Sequence, residues 1–294
     1  MEKARKPWWV KLIIAILSII IIIALAFAGA CIFVKVKYNV SVLGTIGEIK
    51  KLQENVDEEK MFPNQFTAND MTSAQTTVNA QIDGLIVGNE EEGFKISKPV
   101  GINIKESFKL TDKQLGAIAK IACGEGMDIK FDEQTTLKAN LIQVKFSSIE
   151  GNSADVNFVV KVDVSQIKEK MKDFPLSWVK KYIPSTLYIS STVSVVKGEG
   201  EFNYTVESVG MTINNLTQEQ TTSFLSTINL IAGTGTAQEI NLQIGSQFVN
   251  ALIGDANHTD GFVYSLRDLG VTDYAFEANG EINYFVIKKW KKKF

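Results

Sequence analysis

Few residues of this chain have the type and spacing that catalysis or metal binding requires. His258 is the single histidine among 294 residues, which removes multi-histidine metal sites and the HExxH pattern of zinc hydrolases. It lies within Asp255–Asp260, whose spacing matches part of a calcium-binding loop. However, the glycine comes one position late, at Gly261, and Leu266 stands where such a loop has its final glutamate. We therefore predict a surface loop without a metal ion.

No other local motif indicates an enzyme. The chain has no GxSxG nucleophile elbow and no GxxxxGK phosphate-binding loop. Gly233–Gly235 lacks the third glycine of a dinucleotide-binding fingerprint and is predicted to connect two helices. Glu90–Glu92 are consecutive, so their side chains cannot converge on one ion in a simple turn. We predict no catalytic residue, no metal site, no cofactor and no enzymatic activity, and we regard an envelope hydrolase as the disfavoured alternative.

The element on which the chain is organised is an uncharged apolar run at 12–34. A helix of this length rises about 35 Å, enough to cross a hydrocarbon core of about 30 Å. Tryptophans and basic residues flank the run, as is typical of membrane interfaces. The predicted interface residues are Trp8, Trp9, Lys11, Lys35, Lys37 and, far along the chain, Trp290. We predict a transmembrane helix with residues 1–11 in the cytoplasm and the later residues outside the cell.

Two alternatives to this uncleaved anchor remain open. Ala28–Ala30 matches the small-residue cleavage site of a signal peptide, although the apolar run exceeds the roughly 7–15 residues of a signal-peptide core. Cys31 would instead be the acylated residue of a lipoprotein, although Ala28 replaces the large aliphatic residue that usually precedes it. We favour a single-pass protein of the cell membrane with an extracytoplasmic C-terminal domain.

Charge is segregated along the chain. The sequence has 31 basic and 33 acidic residues, but basic residues are concentrated before residue 38 and in the tail at 288–294. Because the body between them is acidic, the basic face of a nucleic-acid-binding domain is absent and we predict no nucleic-acid partner. The tail, which includes Trp290 and Phe294, suits an anionic lipid surface. The alternative is a tail that only keeps the protein soluble.

Two segments are predicted between the anchor and the sheet. Residues 35–84 are expected to form a membrane-proximal helical stalk, with a short amphipathic helix near 46–56 and a second helix from Asn69 or Asp70 to Ala80. Residues 85–287 are expected to form the extracytoplasmic domain, which begins with a small hairpin over 85–96.

The domain is predicted to be α+β. Alternating apolar residues between 141 and 206 predict two long antiparallel hairpins, and a slip in this alternation predicts a bulge near Ser208. Asn279-Gly280 predicts a further hairpin turn. Helical periodicity is found at 111–122, 165–183, 217–231 and 236–253. The expected fold is an N-terminal transmembrane helix followed by a long, twisted antiparallel sheet that amphipathic helices cover.

Residues 110–230 resemble the YpmS-like proteins of Gram-positive bacteria. The resemblance lies in Leu110-Thr-Asp-Lys-Gln-Leu115, in Ile183-Pro-Ser-Thr-Leu-Tyr-Ile189 and in Val209-Gly210. It implies a single-pass, extracytoplasmically oriented protein. More distantly, long one-sided strands with apolar helices are similar to tubular lipid-binding (TULIP-like) domains. That similarity implies a curved sheet that wraps a long helix and leaves an apolar groove.

We therefore predict a membrane-anchored extracytoplasmic module that binds or transfers lipid. Its groove is expected between the 141–206 sheet and the 236–253 helix. The candidate groove residues are Val160, Val162, Ile189, Val193, Phe202, Tyr204, Ile244 and Phe248. The alternative is a structural or partner-binding component of a cell-envelope complex, with a solid core and no ligand. The expected partners are membrane lipid and, in the alternative, other envelope proteins.

Overall fold

A computed structural model describes residues 50–123, 127–130, 136–166, 184–232 and 235–289. Across these ranges the protein is α+β with antiparallel sheets, which confirms the predicted class. None of the helices in the described ranges is long and apolar enough to cross a membrane. The predicted span at 12–34, most of the helical segment predicted at 165–183 and tail residues 290–294 lie outside the described residues.

The large sheet contains five antiparallel strands in the order β4-β5-β6-β7-β8. These strands are β4 (Met127–Lys130), β5 (Thr136–Glu150), β6 (Ser153–Asp163), β7 (Thr186–Lys197) and β8 (Tyr204–Ile213). Both predicted long hairpins are present, β5–β6 and β7–β8. Apolar residues alternate along these strands, so one face of the sheet is buried and the other carries mainly polar side chains.

Two smaller sheets accompany the large one. The predicted hairpin near 85–96 is formed by β1 (Ile86–Asn89) and β2 (Gly93–Ile96). A three-stranded sheet has the order β3-β10-β9 and consists of β3 (Phe108–Thr111), β9 (Val271–Asn279) and β10 (Ile282–Lys289). Gly280 turns between β9 and β10 with φ 64°, which confirms the predicted Asn-Gly hairpin.

Five α-helices and one 3₁₀ helix have both ends within the described residues, and further helical residues at 50–53 and 165–166 adjoin residues outside them. They are α1 (Glu58–Met61), α2 (Ala68–Gln81), α3 (Asp112–Cys123), α4 (Gln218–Ala232), α5 (Ala237–Leu252) and the 3₁₀ helix Tyr264–Leu269. Local capping explains where α5 starts. The Thr236 hydroxyl accepts a hydrogen bond from the backbone N–H of Glu239, whose carboxylate accepts in return from Thr236 N at 2.7 Å.

The predicted boundary between a stalk and a domain at residue 84 is not observed. Leu52, Val78 and Ile82 are fully buried in the same apolar cluster as Phe158 of β6 and Phe285 of β10. The second predicted stalk helix exists as α2, but it packs on α3 and contributes to the core. The described part of the expected stalk, residues 50–84, therefore belongs to the folded domain.

The bulge predicted near Ser208 is present. Thr192 of β7 pairs with Gly210 and Val193 pairs with Ser208, so Val209 has no partner on β7. Asn241 of α5 stabilises the irregularity, because its Nδ2 donates to the carbonyl of Thr192 at 2.9 Å and to Ser208 Oγ at 2.8 Å. Asn241 thus joins α5 to β7 and β8 at the bulge.

Residues 54–66 form a strap across the polar face of the large sheet. Phe62 in the strap stacks on Tyr188 of β7 at a ring-centroid distance of 5.7 Å, and the pair encloses Val159 in a small second cluster. Asn64 N donates to Gln143 Oε1 of β5 at 3.0 Å. The strap is therefore bonded to the sheet as well as packed on it, and it brings the N-terminal part of the chain to the sheet.

Candidate functional site

The residues predicted to line an apolar groove lie in the core. Val160, Val162, Ile189, Val193, Phe202, Ile244 and Phe248 are each at most 2% exposed. Tyr204 is the exception, being only half-buried. The structure therefore brings the predicted residues into the same region, but it buries nearly all of them.

Direct contacts show how α5 closes the space above the sheet. A Cβ atom added to Gly245 would lie 2.1 Å from Val193 Cγ1, so the helix backbone is already at contact distance from β7. One turn later, Phe248 stacks on Phe158 of β6 at a centroid distance of 4.1 Å and an interplanar angle of 11°. These contacts leave no room for an acyl chain at either position. At these two positions the predicted groove is wrong, and α5 packs directly on the sheet. Gly245 has no side chain, so α5 comes closer to β7 than an apolar stripe alone predicts.

His258 belongs to a hydrogen-bonded chain of four polar residues. Its Nδ1 lies 2.9 Å from Asp255 Oδ1, and its Nε2 lies 3.0 Å from Asn250 Nδ2. Asn250 Oδ1 accepts a hydrogen bond from the Tyr204 hydroxyl at 2.8 Å. These contacts have one consistent direction if His258 donates through Nδ1 and accepts through Nε2. Both ring nitrogens are then engaged within the protein. The four hydrogen-bonded residues therefore join loop 254–263 to α5 and β8.

The carboxylate of Asp255 is likewise used within its own loop. Its Oδ1 accepts from the backbone N–H groups of Asn257 and His258, at 2.7 Å each. Partial burial alone would raise the pKa of Asp255, but these bonds and the one from the His258 side chain outweigh it, and the pKa is lowered. Within the described ranges, no group of three or more His, Cys, Asp or Glu side chains is placed to share a metal ion.

A second polar cluster lies under the strap. Glu58 of α1 accepts hydrogen bonds from Lys161 Nζ at 2.7 Å and from the Tyr188 hydroxyl at 2.6 Å. The bond from Lys161, followed by the bond from Tyr188, lowers the pKa of Glu58. Burial raises the pKa of Tyr188. The cluster joins α1 to β6 and β7 and was not predicted, because the sequence does not reveal that the strap crosses these strands.

The free edge of β8 is a candidate surface for a protein partner. Among the described residues, no strand pairs with the edge of β8 opposite β7. Gln218 of α4 donates to the Val209 carbonyl at 3.1 Å, and Thr221 Oγ1 of the same helix accepts from Ile213 N at 3.3 Å, so α4 covers the edge from Val209 to Ile213. Val209 is 46% exposed. A concave surface of about 490 Å³ adjoins the edge and is shared by β8, α4 and α5.

Lys105 and Lys289, which are distant in sequence, meet where β10 ends in the three-stranded sheet. Lys289 Nζ donates to the backbone carbonyl of Lys105 at 2.7 Å, and Lys289 N donates to Ser107 Oγ at 2.9 Å. Lys288 is the preceding residue of β10 and lines a concave surface of about 510 Å³ with Lys289. In the described part of the chain, no carboxylate forms an ion pair with Lys105, Lys288 or Lys289. The sequence analysis found the lysine run at 288–293 but had no signal for Lys105.

The other predicted membrane-interface residues cannot be placed on this structure. Trp8, Trp9, Lys11, Lys35, Lys37 and Trp290 all lie outside the described residues. No protein-family model matches the chain, and neither the curated proteins nor the solved structures contain a match to it. The geometry of the described surfaces is therefore the basis for a functional proposal.

Proposed function

We propose that this chain is a single-pass, membrane-anchored component of the bacterial cell envelope whose extracytoplasmic domain binds a protein partner and has no enzymatic role. Its anchor is the apolar run at 12–34, which meets the length requirement for a membrane-spanning helix. In the described part of the chain, the folded domain already includes Leu52, which is a core residue.

The contact of Gly245 with Val193 is the observation that carries this choice. It brings α5 onto the sheet where a lipid chain was expected, and Phe158 and Phe248 fill the adjacent space with stacked rings. A domain packed in this way acts through its surface. The partner-binding alternative is therefore better supported than uptake of lipid between α5 and the sheet.

The edge of β8 is the proposed partner surface. An edge strand presents backbone N–H and C=O groups to a second chain, which can add to the sheet as a further strand. Val209 of β8 and Val196 of β7 are exposed near this edge. The concave surface beside it would receive side chains that alternate along an added strand. We propose that the partner presents an extended segment to residues 204–208, the part of the edge before the carbonyl that Gln218 occupies.

Photo-crosslinking in intact cells tests the partner surface. A photoreactive phenylalanine analogue at Val209 is expected to give one discrete adduct, whereas the same analogue at Val87 is expected to give none. Val87 is a matched control, since it is 42% exposed and lies on β1, away from β8. Equal labelling from both positions, or none from Val209, would remove the β8 edge from the proposal.

Native mass spectrometry tests the lipid alternative on the same protein. The domain, released from its anchor and purified without detergent, is expected to show the mass of the polypeptide alone. A stoichiometric lipid adduct would restore the lipid-binding function.

Membrane fractionation after carbonate and high-salt washes tests the anchor, and a soluble product that begins at Cys31 would contradict it.

A further inference from the structure

The direction of the backbone groups on β8 follows from one hydrogen bond of its neighbour β7. Lys197 N of β7 donates to the carbonyl of Asn152, which precedes β6, at 2.9 Å. The backbone of Lys197 therefore faces β6 and not its register partner on β8, Tyr204. In an antiparallel pair of this kind, both residues direct their N–H and C=O away from each other. The N–H and C=O of Tyr204 consequently face the open edge of the sheet.

The same direction recurs at every second residue of β8. The register with β7 is unbroken from Tyr204 to Ser208, so Val206 and Ser208 also face the open edge. Among the described residues, none is hydrogen-bonded to these outward backbone groups. The next outward carbonyl is that of Val209, which Gln218 occupies. The available array therefore consists of the N–H and C=O groups of Tyr204, Val206 and Ser208.

This array is symmetric about Val206. Tyr204 and Ser208 lie two residues before and after it. A second β8 strand that runs antiparallel would therefore place its own Val206 opposite Val206 and its Ser208 opposite Tyr204. Each of these facing pairs would exchange both of its N–H···O=C hydrogen bonds. All outward groups of the array would then be satisfied by an identical strand.

We propose that the partner at the β8 edge is a second copy of this chain, joined by β8–β8 pairing about a twofold axis at Val206. A twofold contact uses the same patch on both copies, so the patch must be complementary to itself. The inference rests on the partner surface proposed above and names the molecule that occupies it.

The side chains agree with this register. Thr205 and Glu207 are exposed, whereas Val206 between them is partly buried and packs on the core. In the paired strands Thr205 lies opposite Glu207 of the second copy, where its hydroxyl can donate to the carboxylate. The two Val206 side chains lie side by side on the inner face, so pairing continues their burial.

The two neighbouring twofold registers are less favourable. A centre at Glu207 would place two carboxylates directly opposite each other, which destabilises a pair of strands. A centre at Thr205 would place Ser208 opposite Phe202, which lies outside β8, so Ser208 would lack a partner. The charge and length of the strand therefore select the register centred on Val206.

The covered part of the edge leaves room for a second copy. In the proposed register Val209 lies opposite Asn203 of the second copy. There the second chain has already turned away from the edge, because the Asn203 carbonyl accepts from Gly198 N of its own hairpin at 2.9 Å. Gln218 of α4 thus begins to cover the edge where the added strand ends.

Cysteine pairs in the full-length protein test both the partner and the register. With Cys31 and Cys123 replaced by serine, one tagged copy carries Thr205→Cys and a differently tagged copy carries Glu207→Cys. Directly opposite residues have Cβ atoms about 4.5–5.5 Å apart, so mild oxidation in membranes is expected to link the two tags.

The matched controls are Thr205→Cys in both copies and Glu207→Cys in both copies. These positions are diagonal neighbours in the proposed register, about 7–8 Å apart, which is beyond the normal reach of a disulfide. We expect little linkage in either control. Equal linkage in the controls and in the mixed pair would overturn the register.

A charge exchange tests the association without cysteines. Thr205→Glu places two carboxylates opposite each other on both sides of the axis and should raise the Kd of the dimer roughly 10-fold. Adding Glu207→Lys makes both pairs attractive and should restore the Kd, which also excludes misfolding as the cause of the loss. Sedimentation equilibrium of the full-length protein in detergent measures both values. A Kd that does not respond to either change would overturn the inference.

Failure of this inference is distinguishable from failure of the partner surface. A photo-adduct from Val209 with a different protein, together with no linkage between the tagged copies, would retain the β8 edge as a partner surface and exclude a second copy. An adduct with twice the mass of the chain supports the inference. The absence of any adduct from Val209 and of any disulfide linkage would remove both proposals.

Discussion

Gly245 of α5 lies directly against Val193 of β7, with its backbone so close that an added Cβ would be 2.1 Å from Val193 Cγ1. Glycine lowers helix stability by about 1 kcal/mol relative to alanine when it occurs inside an exposed helix. At this position the absence of a side chain permits the contact that seals the sheet. The same contact distinguishes a packed core from an open groove.

Gly245→Ala is therefore expected to lower the free energy of unfolding by about 1–3 kcal/mol, as overpacking does, despite the better helix propensity of alanine. Chemical denaturation of the domain measures this change. The matched control is Gly198→Ala, because a Cβ at Gly198 would meet nothing closer than 3.4 Å. A Gly245→Ala protein as stable as the wild type, or more stable, would indicate space above β7 and revive the groove.

Local elements of this fold are predictable from sequence, whereas their long-range pairing is not. Capping residues and apolar periodicity predicted α3, α4 and α5, and the alternation on β8 predicted its bulge. The pairing of β3 with β10, whose partners Leu110 and Phe285 are far apart in the chain, has no local signal. The same holds for the strap, since the stacking of Phe62 on Tyr188 depends on where the chain turns back. Local periodicity cannot show whether an apolar stripe meets a sheet or a ligand.

Asn241 provides a prediction about the buried polar groups at the bulge. It is 1% exposed, accepts from Ser191 Oγ at 2.7 Å and donates to the Thr192 carbonyl and Ser208 Oγ. Asn241→Leu should leave these groups without partners and lower the free energy of unfolding by about 2–4 kcal/mol. Asn250→Leu on the same helix is a comparison, since Asn250 is only half-buried. A smaller loss at 241 than at 250 would show that the bulge does not depend on Asn241.

The polar cluster of Glu58, Lys161 and Tyr188 under the strap predicts that the stability of the domain depends on pH. The hydrogen bonds from Lys161 and Tyr188 lower the pKa of Glu58 below its usual value of 4.5. The folded state therefore favours the ionised carboxylate, so the contribution is complete above that value and is lost as the pH falls through the folded-state pKa.

Glu58→Gln should consequently reduce stability at pH 7, by at most about 1 kcal/mol for a pair that is partly exposed. The difference from the wild type should shrink as the pH falls from 4.5 through the folded-state pKa. Urea unfolding of both proteins at pH 7 and at pH 3 measures this difference in stability. Glu59→Gln is the control, because Glu59 is the adjacent exposed carboxylate. A Glu58→Gln deficit that is as large at pH 3 as at pH 7 would exclude this electrostatic explanation.

Asn215 holds the chain where it enters the domain. Its Nδ2 donates to the Glu54 carbonyl at 2.9 Å and lies 3.4 Å from the Lys51 carbonyl, so one amide binds both sides of the turn that leads into the strap. Leu52 between them is buried, which fixes the segment by packing as well as by hydrogen bonds.

Asn215→Ala should therefore loosen residues 50–56 without unfolding the domain. Loss of one hydrogen bond costs about 1 kcal/mol, which corresponds to roughly fivefold faster hydrogen exchange in a segment that opens locally. Exchange measured by mass spectrometry on a peptide covering 50–56 checks this, with the thermal midpoint nearly unchanged. Asn203→Ala removes a comparable bond, to the Glu199 carbonyl at 2.6 Å, at the opposite end of the sheet and serves as control. If exchange at 50–56 rises equally in both variants, or in neither, Asn215 does not fix the strap to the sheet.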